Sequence, residues 1–513
     1  MSTAPITWTV SEQLRWVAGR HAQATAIVDE TGSLTFDAFY RRVQALAGHL
    51  RPLAGRRVGI YMGNRREWAE TFFACHLAGV GVVPVNDRYQ NQEVHHLVTD
   101  GDVALVVSDG AQHRGDVLTG LSGTVDTLVV GPAYERVLRE APGPRPTWND
   151  ESAVLYTSGT TAKAKGVRLT QANQFRGSFL GPAVLLAVTA ADTVLIATPL
   201  GHRVGQVRLL GGILTGGRTV LISDSRPATL VDAIENHRVT VTGMVPTIAR
   251  DLSYSGVDLR RRFESLRVLS VTGEAMTADL RTRVARMLPD TTELWTFFAS
   301  TETGLVTALN PHEFTSRPSS SGRAIPGIEI AVMDLESGSV GDAGEGEVLV
   351  RSGAPGSYAV AEAYVGAAAA SPFVDEGGWF HTGDIGVIED GWLAITGRSK
   401  DMILSGGFNI AAQEVEDVLR QHPGVRDVAV TGEPDDRFGE RVVAWIVSHL
   451  DTPAPSETEL REFTGERIAA FKRPRVLHFI TEIPRTATGK VAKWQLADGA
   501  ARVGLEPRTD DDR

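Results

Sequence analysis

A chain of 513 residues that is 42% hydrophobic is too long for one hydrophobic core and predicts two or more domains. Its formal net charge of −11 argues against nucleic acid, or an anionic membrane surface, as an overall partner. The single cysteine, Cys75, excludes an internal disulfide framework and a cysteine-only metal site, and it suits a reducing cytosol, so the cytoplasm is the expected location.

Residues 1–12 show no basic region followed by an apolar core, the pattern of a secretory signal. Two strands are expected at 26–29 and 33–36, around the Thr31-Gly32 turn. A strand at 58–62, an amphipathic helix at 67–78 and a strand at 80–85 follow, with Asn64 placed to cap the helix. Trp68, Phe72 and Cys75 fall at helical spacing, which reads as a packed core thiol rather than a nucleophile. The strand–helix rhythm continues through 93–107 and returns at 193–197, 239–244 and 266–271, which predicts stacked α/β layers. The longest apolar run, 180–188, is too short to cross a bilayer. Residues 317–326 read as a connector to a β-rich subdomain with strands at 328–333 and 347–351. The main boundary is expected at 397/398, giving a large N-terminal domain, 1–397, and a small α+β domain, 398–513. The small domain has strands at 402–404, 425–431 and 442–447 and a helix at 413–419.

Chemistry concentrates in one loop, Thr157-Ser158-Gly159-Thr160-Thr161-Ala162-Lys163-Ala164-Lys165-Gly166, between strands expected at 153–156 and 167–170. Its backbone N–H groups, hydroxyls and ammonium groups suit an oxyanion, usually a phosphate. A polar hairpin turn has the same composition. A Walker loop is excluded, because it needs glycine at Ala164, Ser or Thr at Gly166, and a helix directly after the lysine.

The loop resembles the phosphate loop of the adenylate-forming superfamily, which comprises acyl-CoA and aryl-CoA ligases, peptide-synthetase adenylation domains and luciferases. Those loops usually read T-S-G-T-T-G-x-P-K-G. Thr157, Ser158, Gly159, Thr160, Thr161, Lys165 and Gly166 match, whereas Ala162 and Ala164 replace a glycine and a proline. Further matches follow in family order along nearly the whole chain. Each alone is unremarkable: a surface Thr-Glu pair, a Thr-Gly-Asp turn, a lone lysine.

The resemblance implies that Glu302, in Phe298-Ala299-Ser300-Thr301-Glu302, binds Mg²⁺, and that the residues before it lie along adenine and the acyl phosphate. It implies that Gly273-Glu274-Ala275 brackets adenine, and that Asp384 accepts from both ribose hydroxyls with Arg398 as a further polar contact. Lys400 stands at the family's hinge, which makes the small domain mobile. Gly406 and Gly407 lie in the 405–409 loop that lines the pantetheine tunnel, and Lys490 would bridge carboxylate and α-phosphate. His202, in Pro199-Leu200-Gly201-His202-Arg203-Val204-Gly205, would border the acyl pocket and gate the thiol, with Gly201 replacing a bulky aromatic.

The function so implied is an acid–thiol ligase making acyl-CoA through acyl-AMP, with ATP, Mg²⁺ and coenzyme A. The gate motif holds no aspartate to pair an α-amino group, so the acid is expected to be bulky, hydrophobic and non-amino. Ala162 and Ala164 fall inside the phosphate grip. They lead us to expect impaired or lost adenylation, with acyl-AMP and CoA still giving acyl-CoA and AMP, and with a separate adenylating enzyme upstream. The alternatives are a complete two-step synthetase, loading of a carrier protein, and a non-catalytic regulator on the same fold.

Overall fold

The computed structural model describes residues 8–140, 149–157, 164–273, 276–314, 316–405, 408–449, 454–485 and 491–497. It divides into two compact units, Met1–Ile330 with Val350–His381, and Ala331–Leu349 with Thr382–Arg513. Lys400 falls inside the second unit.

The first unit holds a sheet ordered Ala363–Val365, Lys165–Thr170, Glu151–Thr157, Gly81–Pro84, Arg57–Tyr61, Val103–Ser108, Asp126–Val129. From Glu151–Thr157 to Asp126–Val129 all neighbours are parallel. Val58, Ile60, Val82, Val83, Val106 and Val107 are buried, the continuous apolar run that a parallel sheet covered on both faces requires. A second array of strands runs Gly304–Leu309, Glu293–Ser300, Val268–Val271, Val241–Met244, Thr193–Ile196, Arg218–Leu221, Thr25–Asp29. Its members from Glu293–Ser300 to Thr25–Asp29 are parallel. Such an array gathers its connecting loops at the carboxyl ends of the strands, where open α/β sheets bind ligands.

The helix Arg66–Ala78 is buried on nearly every side. Its Trp68 stacks on Phe72 at 5.3 Å, and its Phe73 meets Phe39 of the helix Phe36–Leu50 edge-on at 5.9 Å. Cys75 is buried among them and burial pushes its thiol pKa up, so the core reading of the thiol holds.

Three local expectations change. Asn64 does not cap the helix: Arg65 is the N-cap residue and makes no side-chain cap bond. The Asn64 amide is buried instead, donating to the carbonyls of Thr198 and Ile222 and accepting from Leu200 N–H at 2.8 Å. Those groups end the strands Thr193–Ile196 and Arg218–Leu221 without sheet partners, and closing that gap outweighs a helix cap open to water. Phe36 begins a helix rather than ending a strand, because Thr35 accepts from Ala38 N–H and starts the first turn. The connector at 317–326 contains a strand, Gly322–Ala324, paired with Gly304–Leu309.

Phe380–Glu389, which enters the second unit at Thr382, forms an antiparallel ribbon with Trp392–Arg398. A separate sheet orders Phe408–Ala411, Met402–Ser405, Gly439–Ser448 and Val425–Asp435, with Val476–Phe479 parallel to Gly439–Ser448. The helix Ala412–Leu419 covers it with Val415 and Leu419, against Val428, Val430 and Ile446. Of the expected loop at 405–409, Ser405 and Phe408 are strand residues that pair with each other. The α/β class, with a large N-terminal and a small C-terminal part, is as the sequence predicts.

Candidate active site

Strands Glu151–Thr157 and Lys165–Thr170 pair antiparallel with Thr157 opposite Lys165, so the ends of the phosphate-type loop are brought together. Ser158, Gly159, Thr160, Thr161, Ala162 and Lys163 lie outside the described residues. At the near end, Thr157 Oγ1 donates to Glu302 Oε1 at 3.2 Å. At the far end, the Ala164 carbonyl accepts from His96 Nε2–H at 3.0 Å, and Lys165 Nζ stands 5.6 Å from the Tyr364 ring centre.

Glu302 is carried by the turn between Glu293–Ser300 and Gly304–Leu309. Ser300 Oγ accepts from Thr303 N–H at 3.0 Å and closes that turn from within. Gly304 has φ +66°, and a Cβ there would lie 2.9 Å from Arg203 Nη2, so both backbone and space call for glycine. A bulge falls between Phe298 and Ala299, where the register skips Val306 of the partner strand and re-aims the segment leading to Ser300 and Thr301.

Arg203 is the residue that sequence reasoning missed. Its buried guanidinium donates from Nη1 to the Thr301 carbonyl at 2.7 Å and from Nη2 to the Ala359 carbonyl at 3.0 Å. Burial pulls its pKa down to about 10, with Glu302's charge acting the other way, so it stays cationic at neutral pH. It therefore pins the turn that holds Glu302. Its neighbour His202 precedes the helix Arg203–Leu214, with Nε2 3.1 Å from Asn86 Nδ2. Asn86 Oδ1 accepts from Arg88 N–H at 2.9 Å, which orients the amide. Nδ2 is then the donor, and His202 Nε2 accepts while Nδ1 carries the proton. A Cβ on Gly201 would meet the Val85 carbonyl at 3.4 Å, an ordinary contact.

Glu302 and the Thr157 hydroxyl present hard oxygen atoms side by side. That set fits Mg²⁺, which takes one or two carboxylates and completes its shell with phosphate oxygens and water. Bound there, the ion would supply charge neutralisation to polyphosphate. Of the residues expected at adenine, Gly273 follows the strand Val268–Val271, and Glu274 and Ala275 lie outside the described residues.

In the second unit, Asp384 and Arg398 are opposite one another in the ribbon, and Arg398 Nε meets Asp384 Oδ1 at 2.7 Å. Asp384 is only 4% exposed, and its N–H donates to Thr382 Oγ1 at 3.0 Å, so the turn and the ion pair together fix the carboxylate. Lys400 is exposed in the short helical turn Ser399–Asp401. Gly406, Gly407 and Lys490 lie outside the described residues.

A family model described as AMP-binding enzyme matches residues 14–364, and one described as AMP-binding enzyme C-terminal domain matches 414–490. The chain is 31% identical over 503 residues to a 3-[(3aS,4S,7aS)-7a-methyl-1,5-dioxo-octahydro-1H-inden-4-yl]propanoyl:CoA ligase of Mycobacterium tuberculosis, covering 92% of this chain and 95% of that protein. It is 33% identical over 530 residues to indoleacetate–CoA ligase of Aromatoleum aromaticum, covering 98% and 100%. Among solved structures it is similar to an o-succinylbenzoate CoA synthetase from Bacillus subtilis in complex with the acyl-adenylate intermediate. That likeness has a TM-score of 0.83 at 26% identity and covers 94% of this chain and 97% of the other.

Proposed function

The chain belongs to the AMP-binding enzyme family and is an acid–thiol ligase of the acyl-CoA synthetase type, and from that premise we propose that it converts a bulky, largely hydrophobic carboxylic acid to its CoA thioester with adenylation as the slower half-reaction. A carboxylate is a poor electrophile. Its oxygen attacks the α-phosphorus of ATP, pyrophosphate leaves, and the mixed anhydride acyl-AMP forms. The CoA thiolate then attacks the acyl carbon, and AMP departs with the bonding electron pair.

In the first step Glu302 and Thr157 would hold the metal ion that neutralises the polyphosphate, and Arg203 keeps the Glu302 turn in place. Lys490 is assigned to the charge that builds between carboxylate and α-phosphate. In the second step neither β- nor γ-phosphate remains, so the work falls to Asp384 and Arg398 on the ribose, to the 405–409 loop on the pantetheine arm, and to His202 at the thiol's entry. Gly201 stands where the family pattern has a bulky aromatic, which supports a bulky acyl group.

The observation that carries the slow first step is the pair of alanines in the phosphate grip, Ala162 and Ala164. A left-handed conformation at Ala162 would cost roughly 1–2 kcal/mol. Loss of the proline constraint at Ala164 removes up to about 1 kcal/mol of pre-organisation. Together these slow adenylation by about one or two decades. Supply of acyl-AMP by a separate upstream enzyme follows if the loss is complete. The second reading, a full two-step synthetase, is favoured by Lys490 and by the intact Thr157–Glu302 contact. The test supplies either free acid plus ATP or pre-made acyl-AMP, each with CoA or with a phosphopantetheinyl carrier protein. Selective use of the adenylate, with ATP-driven turnover rescued by Ala162→Gly and Ala164→Pro, is expected. Equal acyl-CoA formation from both routes would refute the impairment and leave the two-step synthetase standing.

A further inference from the structure

Four arginines of the described residues are at least nine-tenths buried: Arg114, Arg203, Arg208 and Arg281. Arg114 pairs with Asp109 at 2.7 Å. Arg203 is held by the Thr301 and Ala359 carbonyls, and Arg281 by the carbonyls of Pro318, Ser320 and Met276. Arg208 is 9% exposed and has a different environment. Its Nη1 donates to Thr198 Oγ1, and its Nη2 reaches Ser270 Oγ only at 3.5 Å. No carboxylate pairs with it among the described residues, and burial alone accounts for the fall of its pKa to about 10. Five N–H donors thus face two hydroxyls, one of them at the limit of reach. Arg208 Nε makes no hydrogen bond among the described residues and is not sealed from solvent, so this charge is open on one side to something that could pair with it.

The place of this guanidinium says what that something is. Arg208 lies on the helix Arg203–Leu214 that His202 introduces, and it rests on Gly243 of the strand Val241–Met244. A Cβ on Gly243 would fall 2.0 Å from Nη2 and 2.3 Å from Ser270 Oγ, so the bare backbone there makes the space that the guanidinium fills. Gly243 is the register partner of Ser270, each one residue before the carboxyl end of its strand. Arg208 therefore sits below the gate histidine, at the ligand-binding ends of the parallel strands.

We propose that Arg208 is a specificity-determining residue for the acyl substrate, and that the acid carries a second carboxylate at the far end of its hydrophobic body, received by Arg208 with the Thr198 and Ser270 hydroxyls. This rests on the acyl-CoA ligase reading and narrows its substrate to acids with an anionic distal end. The guanidinium's planar fork matches a carboxylate in two parallel bonds. Thr198 Oγ1 can turn and donate to the incoming oxygens, and Ser270 Oγ can do so by leaving the Thr242 carbonyl, to which it donates at 3.3 Å.

Acyl-sulfamoyl adenosines, stable mimics of acyl-AMP, test this by titration calorimetry. Three sets share the same hydrophobic linkers over a range of lengths and end in a carboxylate, a methyl ketone or a methyl group. At the best linker length the carboxylate is expected to bind about ten- to a hundredfold tighter than the methyl compound. Arg208→Met should abolish that preference while the methyl compound still binds, Arg208→Lys should keep part of it, and Gly243→Ala should weaken it by displacing the guanidinium. Equal or tighter binding of the methyl compounds by the wild-type enzyme overturns the proposal and leaves the ligase reading intact. A preference for the ketone over the carboxylate overturns it as well, in favour of a neutral acceptor. Failure of every analogue to bind more tightly than AMP would sink the ligase reading, and the proposal with it.

Discussion

Arg203→Met separates what a buried guanidinium does for the fold from what it does for the site. Methionine keeps most of the side chain's length but donates no hydrogen bond. The Thr301 and Ala359 carbonyls lose partners at 2.7 and 3.0 Å, a penalty of about 1–3 kcal/mol each. Against this, the variant no longer buries a cation. The displacement of the Arg203 pKa to about 10 sets that relief at about 3 kcal/mol. The two effects nearly cancel, and net destabilisation should be no more than about 3 kcal/mol, a shift of several degrees in melting temperature. Activity has no such offset. The Ser300–Gly304 turn loses its anchor, and a displacement of about 1 Å at Glu302 is enough for roughly a hundredfold loss in adenylation. Calorimetric melting, Mg²⁺ titration of ATP-dependent acyl-AMP formation, and CoA acylation from pre-made acyl-AMP should be compared on one preparation. The expected pattern is a modest fall in melting temperature, a large fall in adenylation and a smaller one in thioester formation. Full adenylation in the variant would refute the anchoring role. So would equal losses in both half-reactions, which would point to general loosening of the first unit.

His76 is buried, with Nδ1 on the Phe72 carbonyl and Nε2 accepting from Ser152 Oγ, and burial pulls its pKa from 6.5 to about 4. Between those values the unfolded chain takes up a proton that the folded one refuses, so stability is full above 6.5 and falls as pH drops through the window, by up to about 3 kcal/mol. Melting curves at about pH 7.5 and about pH 5 should show about 2 kcal/mol of that loss, and His76→Gln should flatten it; an unchanged slope would mean that other groups carry it. Lys400→Pro fixes φ at the proposed hinge and should slow CoA acylation by about tenfold or more while sparing acyl-AMP formation. Unchanged acyl transfer would show that the chain turns elsewhere.

Much of this was legible in the sequence because it depends on local pattern. The strands flanking the phosphate-type loop follow from apolar runs bounded by turn residues, and the core role of Cys75 follows from helical spacing with Trp68 and Phe72. The resemblance to the family names Asp384 and Arg398, but their ionic contact depends on the register of a ribbon whose turn lies eight residues from Arg398, at Asp390. Asn64 was misread because a polar residue before an amphipathic run has two uses. Which one wins is decided by strand ends more than a hundred residues away. Arg203 and Arg208 carried a signal that spacing rules do not weigh. Apart from the two arginines and Gln206, the stretch Arg203-Val-Gly-Gln-Val-Arg208-Leu-Leu-Gly-Gly-Ile-Leu is apolar and small, the composition of a helix buried all round. In such a helix a charged residue is not a solvated face, and it must have a partner.

The two partners found for those arginines divide the helix's work. Five residues apart, Arg203 and Arg208 are separated by about 140° around the axis and about 7.5 Å along it, so they serve different faces of one rigid rod. Arg203 is bound chiefly to main-chain carbonyls, fixed dipoles that can only accept, with its Nε reaching Ser178 Oγ at 3.4 Å. Its bonds are committed to the turn beneath Glu302. Arg208 is bound to hydroxyls, which rotate and can donate as readily as accept. Carbonyls can only accept, so they hold Arg203 in place, whereas the hydroxyls at Arg208 can yield to a bidentate anion and then donate to that anion's oxygens. The same difference explains the two glycines that face these side chains. Gly304 lets the chain turn back tightly over Arg203, whereas Gly243 clears a space on the sheet for Arg208. One helix thus anchors the Glu302 turn from its first residue and carries, five residues further on, the guanidinium that we propose receives the acyl group's distal carboxylate.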